Sequence, residues 1–206
     1  MRRQPRAAYH HGDLRQACIA AGLALLSKQG KDAVSLREVA RKCRVSPRAP
    51  YQHFADKTEF FAALAEEGFK EFGAALAQAK DGLVGLARAY LDFATRRPAL
   101  MQLMFGDDFE ERATRNPALH QAALATFQQL EEQVARLHEG AGGLPCRLLA
   151  VNAWALVHGL SELLRHGQLA HVLGDDANVS TVLEVAVQLF VPSRRGPNKL
   201  RRMNKA

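Results

Sequence analysis

Three helix-start signatures crowd into residues 35 to 59: Ser35 with Glu38, Ser46 with Pro47, and Asp56 with Glu59. In the first and third, a short oxygen-bearing side chain can accept an orphan backbone N–H at the start of a helix. The glutamate three positions on can reach back to a second N–H and complete a capping box. In the second, Pro47 falls at the first helical position, where its missing N–H costs nothing. Starts this close together leave room only for short helices. The apolar residues agree. Leu36, Val39, Ala40 and Cys43 fit about two turns, the next helix runs to about Phe54, and Phe60, Phe61, Leu64 and Ala65 begin a fourth. Upstream, Leu14, Ala17, Cys18, Ala21 and Leu25 recur at helical spacing, with Asp13 as the expected N-cap, Gln16 reaching back, and Gly30 as the stop. A short helix, a three-residue turn and a second short helix make a helix-turn-helix.

Charge concentrates on the same segment. Residues 1–57 hold 12 Lys+Arg against 4 Asp+Glu, and residues 191–206 hold 6 basic residues and no acid, whereas residues 58–190 hold 10 basic and 17 acidic. A basic head and tail on an acidic body point to a polyanion-binding end. The basic residues gather at the turn: Arg37, Arg41, Lys42, Arg44 and Arg48, with Tyr51, His53 and Lys57 just beyond. A recognition helix needs planar or short donors for base edges, flanked by hydroxyls and cations for phosphates. A solvated basic face on an ordinary helical domain is the plainer reading of such a pattern.

Beyond residue 57 no stretch alternates as a strand does. Helices are expected from Lys57 to about Lys80, through Leu83, Leu86, Ala87, Tyr90, Leu91 and Phe93, from Pro98 to Gly106, from Pro117 to His138, from Pro145 to Arg165, and from about Val179 to Val191, with a loop at 140–143. The last two are apolar on more than one side, so each is either deeply buried or paired with another subunit. No run approaches the roughly 20 apolar residues that span a bilayer. No apolar signal-peptide core follows the basic first residues, so a cytoplasmic protein is expected. Cys18, Cys43 and Cys146 are far apart and odd in number, which argues against a disulfide framework or a structural zinc site. Each is expected to fill a small apolar helix position, with a thiol sensor as the alternative.

One stretch, YHHGDLRQA at 9–17, invites a different reading, in which His10, His11 and Asp13 hold a metal in an enzyme. Adjacent histidines do not easily reach one metal from a helix, and Asp13 is needed as a cap. No HExxH or paired-carboxylate spacing occurs elsewhere.

Residues 34–69, VSLREVARKCRVSPRAPYQHFADKTEFFAALAEEGF, resemble the DNA-binding domain of the TetR (tetracycline-repressor-like) transcriptional regulators. The family marks are Tyr51, His53 and Phe54 closing the recognition helix, and Lys57 three residues later. The stretch WALVHGL at 154–160 resembles a Trp…His-Gly signature in the ligand-binding domain of one TetR subgroup. The resemblance implies an all-α chain with an N-terminal three-helix helix-turn-helix domain and a C-terminal helical ligand-binding and dimerisation domain. The boundaries expected are a basic arm at 1–12, the DNA-binding domain at 13–56, the body at 57–191 and a basic disordered tail at 192–206.

By position, the resemblance places Arg37 at a base edge and Pro47, Arg48, Ala49 and Gln52 against the major groove. It places Ser35, Ser46, Tyr51, His53 and Lys57 near phosphates. His53 packing inward is an equal alternative, and Phe54 is a core residue. Two positions depart from the family pattern. Arg44 stands where the turn usually has glycine, at a site that tends to need a left-handed backbone, at about 1 kcal/mol for a non-Gly residue. Either the turn differs, or Arg44 bears the strain and offers its charge to a phosphate. Pro50 removes an N–H at the fourth helical position, so the first turn should be loose or 3-10-like.

The resemblance further implies a symmetric dimer formed by the last two helices, which reads a palindromic operator. It implies an apolar ligand cavity, with Tyr90, Phe93, Met101, Met104, Phe105, Phe127, Trp154 and His158 as candidate lining. Plain core packing is the alternative for each, and for His158 beside Gly159 a close helix contact. An arm carrying Arg2, Arg3, Arg6, Tyr9, His10 and His11 is expected along the DNA. The function expected is a homodimeric repressor whose partners are double-stranded DNA, a second copy of itself and a small-molecule effector, with no cofactor, no metal and no membrane. The alternatives are a DNA-binding regulator or architectural protein without a small-molecule response and, remotely, the His10/His11/Asp13 enzyme.

Overall fold

The computed structural model describes residues 11–138, 144–174 and 179–188, and every regular element among them is helical. The expected arm up to residue 10, the loop at 140–143, the helix end at 189–191 and the basic tail lie outside the described residues. Contacts gather the chain into two compact units, Met1–Lys80 with Ala89–Gln129, and Asp81–Arg88 with Leu130–Ala206.

The first unit is built around α1 (His11–Gln29), α2 (Leu36–Cys43) and α3 (Lys57–Ala77). The stripe on α1 buries Leu14, Cys18, Ala21 and Leu25, joined by Ile19 and Leu26, and α2 buries Leu36, Val39 and Ala40. Helix α3 is the hub. Phe60, Phe61, Leu64, Phe69, Phe72 and Leu76 are all buried, so it is apolar around most of its circumference, as a central helix must be. Each such side chain contributes about 1.5–3 kcal/mol through burial. At Gly22 an added Cβ would sit 2.6 Å from the Phe60 ring, and at Gly68 it would sit 2.7 Å from Met104 Sδ. Helices α1 and α5 therefore approach α3 at positions where a side chain would intrude. The unit is completed by the later part of α4 (Gly82–Arg96), α5 (Pro98–Met104), α6 (Phe109–Arg115) and the first part of α7 (Pro117–Leu137).

The second unit contains the start of α4, the end of α7, α8 (Leu144–Arg165), α9 (Gln168–Leu173) and α10 (Val179–Gln188). Leu83, Leu86, Val134, Cys146, Ala150, Leu183 and Val187 form its buried layer, and Arg88 pairs with Glu184 at 3.0 Å. No described helix is long and apolar enough to cross a membrane.

Three expectations are corrected. Helix α1 is already under way at His11, so Asp13 is its third residue rather than its N-cap. An acidic residue in a first turn favours the positive end of the helix whether or not it caps, which is why the signal was offset by two positions. Helices α6 and α9 and a 3-10 turn at Lys31–Ala33 were not anticipated, because each is too short for a periodic apolar pattern. The helix expected from Ser46 to Phe54 is a turn followed by a 3-10 segment, Ala49–Gln52.

Candidate nucleic-acid interface

The turn after α2 closes in a way its sequence does not advertise. Arg44 adopts φ 57° and ψ 37°, the left-handed conformation. Its N–H donates to the Arg41 carbonyl at 3.2 Å and the Val45 N–H to the Ala40 carbonyl at 3.0 Å. Those two bonds are the Schellman pair, which normally places glycine where Arg44 stands. Of the two readings of Arg44, the structure takes the strained one. The turn keeps its geometry, and an exposed guanidinium stands where a hydrogen would otherwise be.

The recognition element is reshaped by proline. In an α-helix the N–H of residue 50 would donate to the Ser46 carbonyl. Pro50 has no N–H, and its ring would press on that carbonyl. The Ser46 carbonyl instead accepts from Ala49 at 3.0 Å, the Arg48 carbonyl from Tyr51 at 3.2 Å, and the Pro50 carbonyl from both His53 and Phe54 at 3.0 Å. With three residues per turn, Arg48 and Tyr51 share one edge. Pro50 and Phe54 are buried, Phe54 with its ring 4.8 Å from Phe60, and they anchor the element to the core.

The outward side carries much of what the sequence singled out. Arg37, Arg44, Ser46, Pro47, Arg48, Tyr51, Gln52 and Lys57 are exposed, Tyr51 at 55%, whereas Ser35, Ala49 and His53 are half-buried. Ser35 is committed as the N-cap of α2, accepting the Glu38 N–H at 3.2 Å. The reciprocal half of that box is not made, because Glu38 pairs with Arg41 at 2.8 Å instead. Arg37, Arg44 and Arg48 have no carboxylate partner among the described residues. The Nε2 atom of His53 is buried without a hydrogen-bond partner, so that edge of the ring faces inward. Lys57 Nζ lies 5.1 Å from the centre of the Phe61 ring, which fixes where its charge stands.

Helix α6 adds residues that the sequence gave no reason to group with the head. Lys31, just after α1, pairs with Asp108 Oδ2 at 3.1 Å. Asp56, the N-cap of α3, accepts the Glu59 N–H at 2.8 Å through Oδ1 and pairs with Arg115 at 2.5 Å through Oδ2. The hydrogen bond from Arg115, with the Glu59 N–H, holds the Asp56 carboxyl below the ordinary carboxylate range. Burial pushes Asp108 up, but Lys31 and Arg112 outweigh it and its carboxyl also lies low. Both contacts join residues far apart in sequence, so only the fold reveals them.

Of the expected cavity lining, the first unit brings together Tyr90, Phe93, Met101, Met104 and Phe105. The Phe72 ring lies 5.1 Å from Tyr90 and 5.0 Å from Phe93, and Tyr90 lies 6.5 Å from Phe105. Phe127 is half-buried on α7. Trp154 and His158 belong to the second unit, with rings 6.3 Å apart on α8. A Cβ added at Gly159 would meet nothing within 4 Å among the described residues. A cavity of about 300 Å³ opens between the end of α1 and the α4–α5 turn, lined by Leu23, Leu26, Arg97, Pro98 and Leu100 among others, and by none of the expected set. Cys18 and Cys43 come from adjacent helices, and Cys43 Sγ lies 3.5 Å from the Ala17 carbonyl. Burial pushes the Cys18 thiol up to about 12 and raises Cys43 as well, which makes both weak nucleophiles.

An outward set of bare arginines on a helix-turn-helix, carried by an all-helical chain, defines a DNA-binding transcriptional regulator. The description of the tetR family of bacterial regulatory proteins matches residues 19–64, and that of the tetracyclin repressor-like C-terminal domain matches residues 83–188. The chain belongs to the TetR family. Comparison with curated proteins returns no match. Among solved structures, a protein of unknown function from Rhodococcus sp. RHA1 is 31% identical, covering 90% of this chain and 97% of that one at a TM-score of 0.72. The regulator BioQ, solved with its natural double-stranded DNA operator, is 18% identical, with coverages of 88% and 98% and a TM-score of 0.58. The multidrug-binding protein EbrR, solved with ethidium, is 20% identical, with coverages of 87% and 99% and a TM-score of 0.56.

Proposed function

We propose that the protein is a homodimeric repressor that binds a palindromic operator and leaves it when a small molecule binds the body. The observation that carries the DNA-binding part is the trio Arg37, Arg44 and Arg48 around the turn, exposed and without a carboxylate partner among the described residues. Arg37 and Arg48, with Gln52, reach base edges. Arg44, Ser46, Tyr51 and Lys57 hold phosphates, and Ser35 and His53 shape the edge of the site. An operator-bound relative of the same fold supports this docking.

The dimer rests on α8. Leu148, Val151, Ala155, Gly159 and Leu163 recur along one side of it, with Leu148 52% and Leu163 39% exposed, and Val185 on α10 is 58% exposed. An apolar stripe of this length facing water is what a partner helix covers. Gly159, open to space within its own chain, lets that helix approach. The Trp154…His158-Gly159 stretch supports membership of the subgroup that shares it. The aromatic group around Tyr90 and Phe105 supplies the apolar side of an effector site, and α6, joined to the head through Lys31 and Asp56, supplies a route for coupling.

The test is fluorescence anisotropy with labelled DNA from upstream of the protein's own gene. A sequence preference over scrambled DNA is expected, with affinity falling steeply as salt rises. Equal affinity for scrambled DNA, or no salt dependence, would reject the reading. Sedimentation at micromolar concentration should give twice the mass of the chain, and Leu148→Glu should reduce it to one.

A further inference from the structure

Arg112 is fully buried, the largest side chain to be so among the described residues. Its Nε donates to the Asp108 carbonyl at 3.1 Å, and its Nη2 donates to the Leu103 carbonyl at 2.5 Å and to Asp108 Oδ1 at 2.9 Å. Those bonds staple the end of α5 to the start of α6. Nη1 is also buried, and it has no partner among the described residues. Charged donors left unsatisfied in a dry interior are costly. For stapling alone, a shorter donor would leave less unmet.

The local charge is also unbalanced. Asp108 divides one carboxylate between two cations, Oδ1 to Arg112 and Oδ2 to Lys31. Glu111, the nearest further acid on α6, is exposed and turned to Arg115 at 3.8 Å. Phe109 precedes Arg112 by three residues, so the two share a side of α6. The Phe109 ring lies 6.0 Å from Phe69, which lies 5.3 Å from Phe105, whose ring faces Tyr90. A guanidinium with one unpartnered nitrogen thus lies on the side of α6 that carries a layer of aromatic rings.

We infer that Arg112 Nη1 anchors the carboxylate of an organic-anion effector whose apolar part lies against Phe69, Phe105 and Phe109. The inference rests on the ligand-responsive reading and names the chemical class of its ligand. A carboxylate suits a guanidinium fork better than any neutral group. A carboxylate on Nη1 would share the charge of one guanidinium with Asp108, which also holds Lys31 in the head. Occupation of Arg112 therefore reaches the DNA-binding end through one shared carboxylate.

The experiment uses the full chain. Benzoate, phenylacetate and decanoate are compared with their neutral amides, with ethidium as a cationic control, by thermal shift and by operator anisotropy. A carboxylate is expected to raise the melting temperature and weaken operator binding at least about tenfold, a binding difference of roughly 1.4 kcal/mol, while its amide does neither. Arg112→Gln should lose this response with helicity retained. If that variant does not fold, Arg112→Lys keeps the charge without the fork and should bind the carboxylate at least about tenfold more weakly. Amides acting as well as acids, or Arg112→Lys responding like the wild type, would overturn the anchor. A response to ethidium alone overturns the anchor and leaves the ligand-responsive reading standing. No response to any probe overturns both.

Discussion

Within one compact unit, the same residue type does opposite work in two places. On the turn and recognition element, Arg37, Arg44 and Arg48 are exposed and have no carboxylate partner among the described residues. On α6, Arg112 and Arg115 are committed, to Asp108 at 2.9 Å and to Asp56 at 2.5 Å. The difference teaches how a helical regulator keeps two kinds of charge apart. Free cations are reserved for a polyanion, where each phosphate contact releases counterions. Of the paired cations, Arg115 ties α6 to the segment that carries the free ones, and Arg112 staples α6 to α5. Arg41 shows the separation locally. It sits among the bare arginines in sequence, but Glu38 neutralises it from one turn away.

The sharpest way to break the comparison is to remove charge from each side in turn. Arg37→Ala with Arg48→Ala should weaken operator binding by roughly 100-fold or more, at about 1–3 kcal/mol for each base contact. The melting temperature should hold, since neither side chain packs. Anisotropy and calorimetry on the same sample check both halves. Unchanged affinity would mean that these arginines are only a solvated face.

Arg112→Ala should do the reverse. Loss of this fully buried side chain, with a cavity left behind and the Leu103 carbonyl stranded, should cost about 3 kcal/mol of stability. Operator affinity of the molecules that remain folded should change far less than in the Arg37/Arg48 variant. Denaturant melts, corrected for the folded fraction, test this. A melt within about 0.5 kcal/mol of wild type would show that the staple between α5 and α6 is dispensable.

Arg44 is the position where the two kinds of work overlap, because it closes the turn and also presents a free charge. Arg44→Gly should relieve up to about 1 kcal/mol of left-handed strain and raise the melting temperature slightly. It should also lower the slope of log affinity against log salt by roughly one unit. A stability gain with an unchanged slope would assign Arg44 to the turn alone.

The head was legible because its signals are local. The caps Ser35 and Asp56, the stop at Gly30 and the missing N–H of Pro50 each act within four residues, and each left a visible consequence. The Ser46 carbonyl accepting from Ala49 rather than from residue 50 follows from the sequence alone. What was not legible joins distant positions. Lys31 and Asp108 are separated by 77 residues, and Arg115 and Asp56 by 59. A capping aspartate gives no sign of a second partner. Nor does composition single out Arg112, since arginine is seldom fully buried, and α6 around it reads as a polar stretch. Cys18 and Cys43 are far apart in sequence, and only the packing of α1 on α2 makes them neighbours.

The smallest expected effect tests whether the paired arginines matter beyond packing. Asn accepts an N-cap hydrogen bond about as well as Asp, so Asp56→Asn keeps the Glu59 N–H satisfied and removes only the charge that Arg115 meets. Because the folded-state value of Asp56 is lowered, its contribution is fully present above the unfolded carboxylate value, about 3.9, and is lost as pH falls through the lower folded value. The variant should therefore melt a little below wild type at pH 7, and the two curves should converge as pH falls through the lowered folded-state value. Added salt should narrow the gap at pH 7, since both partners are partly exposed. If the gap persists unchanged into acid, Asp56 acts through its shape at the cap and not through Arg115. The link from α6 to the start of α3 would then be packing rather than charge, which would leave Lys31 and Asp108 as the charged route from body to head.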